Sequence, residues 1–276
     1  MFIAGPMVAS LVLSFTEYDV INPPRYVGAE NYRRLLEDPK VLDSLQNTLV
    51  YTVLHVPITL VVALALAVLL NRVGRASGFF RTVFYLPVMT PPVAAGALFL
   101  ILLNGQSGLI NEVLGWFGLD GPNWTSDPAW IKPGIVLMGL WTVGSTVIIL
   151  LAALQSVPVE LYEAARLDGA GAWARFRWVT LPMISPTVYF LVVVNTISSL
   201  QTFAEVYTMY FGNANNVSSA SSSALFYVIY LFQQAFQFLN MGYASAMAWL
   251  LFLVIVVITL VQVRASRRLV HYQGDR

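Results

Sequence analysis

Long apolar blocks alternate with short polar segments along the whole chain. Residues 47–70, 82–104, 134–155, 183–206 and 240–263 carry almost no charge, and residues 222–238 form a weaker aromatic stretch. Each strong block has about the 20 residues an α-helix needs to cross a hydrocarbon core of about 30 Å. Met1–Phe15 is short, lacks a basic flank and shows no small-residue cleavage pattern. It therefore reads as a first helix, clipped at its N-terminal end or begun at an upstream start site, and not as a signal peptide. With 222–238 as a lead-in to the last helix, the pattern predicts an all-α membrane protein of about six transmembrane helices. Residues 16–46 are polar, broken by Pro23, Pro24 and Pro39, with a short surface helix at NYRRLLED. Pro57, Pro87, Pro91 and Pro92 fall in or at the start of spans. They read as packing kinks before gates, because neighbouring helices absorb the freed backbone groups.

Composition sharpens this picture. Of 276 residues 58% are hydrophobic and 11% charged, with a mean hydropathy of +0.70, whereas a soluble domain is about a quarter charged. The chain is read as one transmembrane domain, 1–276, in contact with the lipid bilayer. A net charge of +1 argues against a nucleic-acid partner, and the absence of cysteine excludes disulfides, thiolate metal sites and thiol catalysis. His55 and His271 are too few and too far apart for a histidine metal site.

Lysine and arginine set the orientation. Arg72, Arg75, Arg81, Arg166, Arg175, Arg177, Arg264, Arg267, Arg268 and Arg276 fall in one set of loops; Arg25, Arg33, Arg34, Lys40 and Lys132 fall in the other. The first set is expected in the cytoplasm, which places both termini and the 156–182 loop inside. Outside, residues 105–133 hold the amphipathic GLINEVLGWFGL and three tryptophans, Trp116, Trp124 and Trp130, read as interfacial anchors. Residues 207–221, rich in Asn and Ser, read as a flexible loop.

The segment 156–182 is the exception to the apolar pattern. It concentrates Glu160, Glu163, Arg166, Asp168, Arg175 and Arg177 between two spans. Ser156 suits the cap of a helix whose first turn holds Pro158 and Glu160. That helix is expected to end near Asp168, because Gly169 accepts a left-handed turn without steric cost. A second helix puts Trp173 and Phe176 on one face, and Pro182 marks the start of the next span. Such a compact helix–turn–helix reads as a docking element for a soluble partner; the plainer alternative is an interfacial loop.

Glu163-Ala164-Ala165, Asp168-Gly169-Ala170, Phe176, Leu181-Pro182 and Pro186 resemble the EAA loop of permease subunits of bacterial ATP-binding cassette importers. VGAENYRRLLEDP, NTLVYTV, FFRTVFYLP and GLINEVL extend the resemblance over nearly the whole chain, toward the maltose-, lactose- and glycerol-phosphate-type first permease of the carbohydrate-uptake group. The resemblance implies a type I ABC importer permease core in the cytoplasmic membrane of a bacterium or archaeon. It also implies that Glu163, Ala164, Ala165, Asp168, Gly169 and Ala170 form a coupling helix in a cleft of an ATPase subunit. Further implied are a heterodimer with a second permease, two ATPase subunits carrying ATP and Mg, and an extracytoplasmic solute-binding protein. The chain itself is expected to bind no cofactor and to be no enzyme: Lys40 follows Pro39 and Lys132 follows Ile131, so no phosphate loop with its Gly-Lys pair exists.

Asn195, Ser198, Ser199, Thr202 and Glu205 fall within about a third of a helix circumference. Asn195, Ser199 and Thr202 also resemble the sugar-contacting side of the maltose-type permease, and Thr142 and Ser145 are expected to face them. A polar face on a span suits a pathway, while hydrogen bonding between packed spans explains it equally in kind. Tyr51 and His55 are weaker candidates for the same wall. With no Lys or Arg expected inside a span, the cargo reads as a neutral sugar, a di- or oligosaccharide. A non-sugar solute such as glycerol phosphate is the alternative; an ion-coupled secondary transporter is a more distant one, since Glu205 alone is available to hold a coupling ion.

Overall fold

In the computed structural model, residues 4–73, 77–212 and 220–269 are described. Helix α1 is Ala4–Leu13; a small antiparallel pair follows, β1 (Thr16–Glu17) with β2 (Arg25–Tyr26). Then come α2 (Glu30–Glu37), α3 (Pro39–Arg72), α4 (Ser77–Tyr85, continued as a 3-10 turn to Met89), α5 (Pro92–Leu102) and α6 (Leu109–Trp116). The second half holds α7 (Pro128–Gly139), α8 (Gly144–Gln155), α9 (Val159–Leu167), α10 (Ala172–Arg175) and α11 (Leu181–Leu200). The last elements are α12 (Ala204–Tyr210), α13 (Ala220–Ala224), α14 (Tyr227–Phe232) and α15 (Met241–Leu269).

Among the described residues, three helices are long and apolar enough to cross a membrane, and five if each bent pair counts as one span. All five expected apolar blocks are found, and α1 is a shorter apolar helix. Two blocks are not straight, however. The 82–104 block is interrupted at Thr90, which is extended (φ −70°, ψ 126°) because the ring of Pro91 disfavours helical backbone in the residue before it. The 134–155 block bends by 55° between Leu140–Thr142 and Gly144. Here α8 passes so close to α4 that a Cβ on Gly144 would collide with the Phe84 carbonyl oxygen. Because α7 begins at Pro128, Lys132 lies in its second turn, half-buried, and not in a loop. The 222–238 stretch is no lead-in either. Helix α14 and a π-helical turn, Gln233–Gln237, stop at Leu239, whose φ of +57° breaks the chain before α15. Of the expected loop 207–221, residues 207–210 belong to α12, and 213–219 lie outside the described residues.

The chain divides into two compact units. One comprises Met1–Thr52, Pro92–Gly134 and Ser198–Thr259. Its core packs Leu35, Val41, Tyr227, Tyr230, Tyr243 and Met247. Polar clips lock it: the Tyr230 and Tyr243 hydroxyls donate to Asp38 Oδ2 at 2.6 and 2.8 Å, and Asn47 Nδ2 donates to the Ser222 and Leu225 carbonyls. Trp124, expected as a membrane anchor, is tied into this unit instead. Its indole N–H donates to Asn111 Oδ1 (2.7 Å), while Asn111 Nδ2 donates to the carbonyls of Gly105 and Pro122.

The other unit comprises Val53–Pro91, Ile135–Ile197 and Leu260–Arg276. Its core joins Ala63, Ala67 and Leu70 of α3 to Val147, Leu150, Leu151 and Leu154 of α8 and to Ile184 and Leu191 of α11. The small Ala63 and Ala67 are fully buried, as close helix packing in a membrane requires. This unit carries the charged loop.

Candidate coupling site

Helix α9 begins without a side-chain cap. Its N-cap is Pro158, and Ser156, expected in that role, instead terminates α8 by donating from its hydroxyl to the Ala153 carbonyl. Pro158 suffices because its fixed φ and missing N–H cost nothing where donors are unpaired anyway. The other end follows the expected chemistry. Gly169 has φ +77°, the Ala170 N–H donates to the Ala165 carbonyl (2.8 Å), and the Gly169 N–H donates to that of Arg166 (3.0 Å). These two bonds are the paired closure that a left-handed C-terminal residue permits. The Asp168 N–H donates to the Ala164 carbonyl (3.0 Å).

No residue of α9 is buried. Glu160, Glu163, Arg166 and Asp168 are all exposed, and among the described residues none of them makes an ion pair. Leu167 is 90% exposed at the tip of the helix. The tip of α9 thus presents free charges around an exposed leucine. The root of the helix is the reverse. Val157 is buried in the core of the unit, Tyr162 packs against that core, and the Tyr162 hydroxyl is hydrogen-bonded to Thr180 Oγ1 at 2.9 Å. Thr180 is itself buried at the foot of α11. The exposed tip is therefore fixed to a spanning helix through a short, rigid connection.

The span α11 begins at Leu181, beside Pro182 as expected, but no break separates it from the second helix of the loop. Helix α10 runs through a π-helical stretch, Phe176–Thr180, directly into α11. A wider turn of this kind absorbs the backbone donor that Pro182 lacks. Trp173 and Phe176 do share a face, with ring centroids 5.6 Å apart. Leu167 and the Tyr162–Thr180 tie escape a reading of the sequence; the only hint is a lone tyrosine in an otherwise charged helix.

The polar face of α11 is less uniform than its periodicity suggests. Asn195 is half-buried and donates to the Leu191 carbonyl (2.8 Å); Ser198 is exposed and Ser199 buried. The helix ends at Leu200, so Thr202 lies in the link to α12 and Glu205 on α12 itself, and the five residues do not share one helical face. Thr202 donates to the Ser198 carbonyl (3.4 Å) and is hydrogen-bonded to the Tyr51 side chain. Glu205 is placed by its backbone, which passes so close to Gly96 of α5 that a Cβ there would clash. Thr142 and Ser145 hydrogen-bond to the carbonyls of Gly139 and Thr142 within their own segment. Thr196, one residue from the expected face, makes the interhelical bond instead, accepting from Gln262 Nε2 of α15 (2.9 Å).

Comparison with known proteins places this architecture. The chain is 37% identical over 275 residues to the probable ABC transporter permease protein YesP of Bacillus subtilis (strain 168), covering 99% of this chain and 88% of the relative. It is 35% identical over 272 residues to the lactose transport system permease protein LacF of Rhizobium radiobacter, covering 96% and 89%. A solved bacterial alginate ABC transporter, in complex with alginate pentasaccharide-bound periplasmic protein, contains a chain that superposes with a TM-score of 0.83. The two are 25% identical, and the match covers 98% of this chain and 90% of that one. Residues 49–271 match the model of the binding-protein-dependent transport system inner membrane component. The chain belongs to that family: it is a multi-pass, non-catalytic permease subunit of an ABC transporter.

Proposed function

We propose that this chain forms part of the translocation pathway of an ATP-driven carbohydrate importer, and that Glu163–Gly169 is the lever by which an ATPase subunit moves it. The observation that carries the reading is the contrast within α9: an uncovered tip of Leu167 and unpaired charges on a root locked to α11 through Tyr162 and Thr180. In the cytoplasm, Glu163 pairs with a basic residue of the ATPase, Leu167 fills its cleft, and Gly169 supplies the turn. The pathway is shared with a second permease subunit, two ATPase subunits bind and hydrolyse ATP, and an external binding protein delivers the solute. Closure of the ATPase pair on ATP displaces α9, and the Tyr162–Thr180 tie passes that displacement to α11 as a rigid-body motion.

A neutral di- or oligosaccharide suits the spans. Asn195, Ser198, Ser199, Thr202, Thr142 and Ser145 offer hydroxyl and amide groups, and Lys and Arg stand in the first or last two turns of the described spans. The lactose system of LacF and the alginate transporter support the carbohydrate class. The test is ATP hydrolysis by the complex purified with its partner subunits and binding protein, screened against sugars. One sugar is expected to stimulate hydrolysis, and Tyr162→Phe to retain the bound ATPase while transport per ATP falls. Stimulation by a phosphate ester and by no sugar would overturn the substrate class.

A further inference from the structure

The second half of α3 and α10 with the turn that follows it line an open groove of about 640 Å³. Val61, Ala65 and Leu69 line it at helical spacings of four, Trp173 and Phe176 form its other side, and Arg72 stands at its end. From residue 61 to residue 72 the helix rises about 16 Å, roughly the depth of one leaflet of a 30 Å hydrocarbon core. The small Ala65 and Ala172 are among the residues that line it.

Two further observations give it chemistry. Among the described residues Arg72 is exposed and makes no ion pair, so its planar donor fork is available to a phosphate. Trp173 and Trp178 are 73% and 72% exposed, and the Arg177 guanidinium lies 5.0 Å from the Trp178 ring centroid. Exposed tryptophan beside arginine at the end of a span is the composition of a headgroup-level belt, and arginine at the inner surface attracts anionic lipid.

We propose that this groove holds one acyl chain of an anionic phospholipid of the inner leaflet, with Arg72 on its phosphate, so that a lipid wedges α3 against α10 and the turn that follows it. The assignment to the inner leaflet rests on the cytoplasmic placement of the 156–182 loop; the lipid site does not depend on the ATPase contact. Through Phe176, at the start of the π-helical stretch, the lipid stiffens the root of the lever.

The test uses the intact complex in nanodiscs of phosphatidylcholine with graded phosphatidylglycerol, read by native mass spectrometry of retained lipid and by ATP hydrolysis. The wild type is expected to retain phosphatidylglycerol over phosphatidylcholine at this subunit and to hydrolyse ATP several-fold faster as the anionic lipid rises. Arg72→Gln is expected to lose the preference at least tenfold, and Ala65→Phe to lose the lipid altogether, both with ATPase subunits still bound. Glu163→Lys, which releases the ATPase, is expected to keep the lipid, so the two readings fail separately. Unchanged retention in both groove variants would overturn the proposal, as would equal retention of the two lipids. Release of the ATPase by Ala65→Phe would also overturn it, since the groove would then be filled by that protein.

Discussion

Helices α2 and α9 are both short, charged and too polar to span, yet they are finished to different degrees. In α2, eight residues long, Arg33 bridges Glu30 (4.0 Å) and Glu37 (3.1 Å), Leu35 is buried, and buried Asn31 donates to the Ser14 and Thr16 carbonyls, both at 2.9 Å. Arg34 lies over the Tyr243 ring at 4.7 Å. Helix α9, nine residues long, buries none of its residues and pairs none of its charges among the described residues. Both helices hold one leucine out, Leu36 at 89% and Leu167 at 90% exposure. But α2 finds partners for its charges and its buried amide within its own chain, while α9 is held at its root and leaves its charges open. What separates them most clearly is the fate of each polar group.

The sharpest way to break this comparison is charge reversal on both helices. Glu163→Lys is expected to weaken association with the ATPase at least about 30-fold, since losing one member of a buried, hydrogen-bonded charge pair costs about 2–5 kcal/mol. Glu30→Lys is expected to leave that association within about twofold, because exposed ion pairs contribute about 0–1 kcal/mol. Co-purification of labelled subunits measures both. Equal effects would remove the distinction.

Next in size, Asn31→Leu leaves the Ser14 and Thr16 carbonyls without their donor, at about 1–3 kcal/mol each. It is expected to lower the melting temperature of the complex while ATPase affinity stays unchanged, which thermal unfolding and co-purification together can check.

The smallest effect is in pH. Burial raises the Asp38 carboxyl, but hydrogen bonds from Tyr230 and Tyr243, the Lys40 N–H and the Lys40 charge outweigh it and hold the group below its ordinary value of 3.8. A carboxyl lowered in the folded state stabilises fully above its unfolded pKa, and the contribution is lost as pH falls through the lowered folded value. Stability is therefore expected to drop at acid pH, with a smaller drop in Asp38→Asn; melting curves from pH 7 to pH 3 would show it.

Sequence periodicity located every apolar block, since about 20 uncharged residues in a row have few other fates. It missed the bend at Gly144, which depends on close approach to Phe84, whereas the break at Thr90 falls where Pro91 and Pro92 read as a kink. The left-handed turn at Gly169 was legible because glycine at that position has a local cause. Ser156 was misassigned, because a hydroxyl between two helices serves the end of one as readily as the start of the next. The polar face of α11 was over-extended, because a projection at constant angle assumes a helix that in fact stops at Leu200. The Tyr162–Thr180 tie spans 18 positions and exists only once α9 folds back on α11.

Because the chain has no cysteine, a single Leu167→Cys substitution gives a clean probe of the lever. In the assembled transporter, a short thiol–amine crosslinker at that position is expected to join this chain to the ATPase subunit, with ATP binding changing the yield. A crosslink to no subunit, or labelling of the position by an impermeant reagent from outside intact cells, would contradict the account.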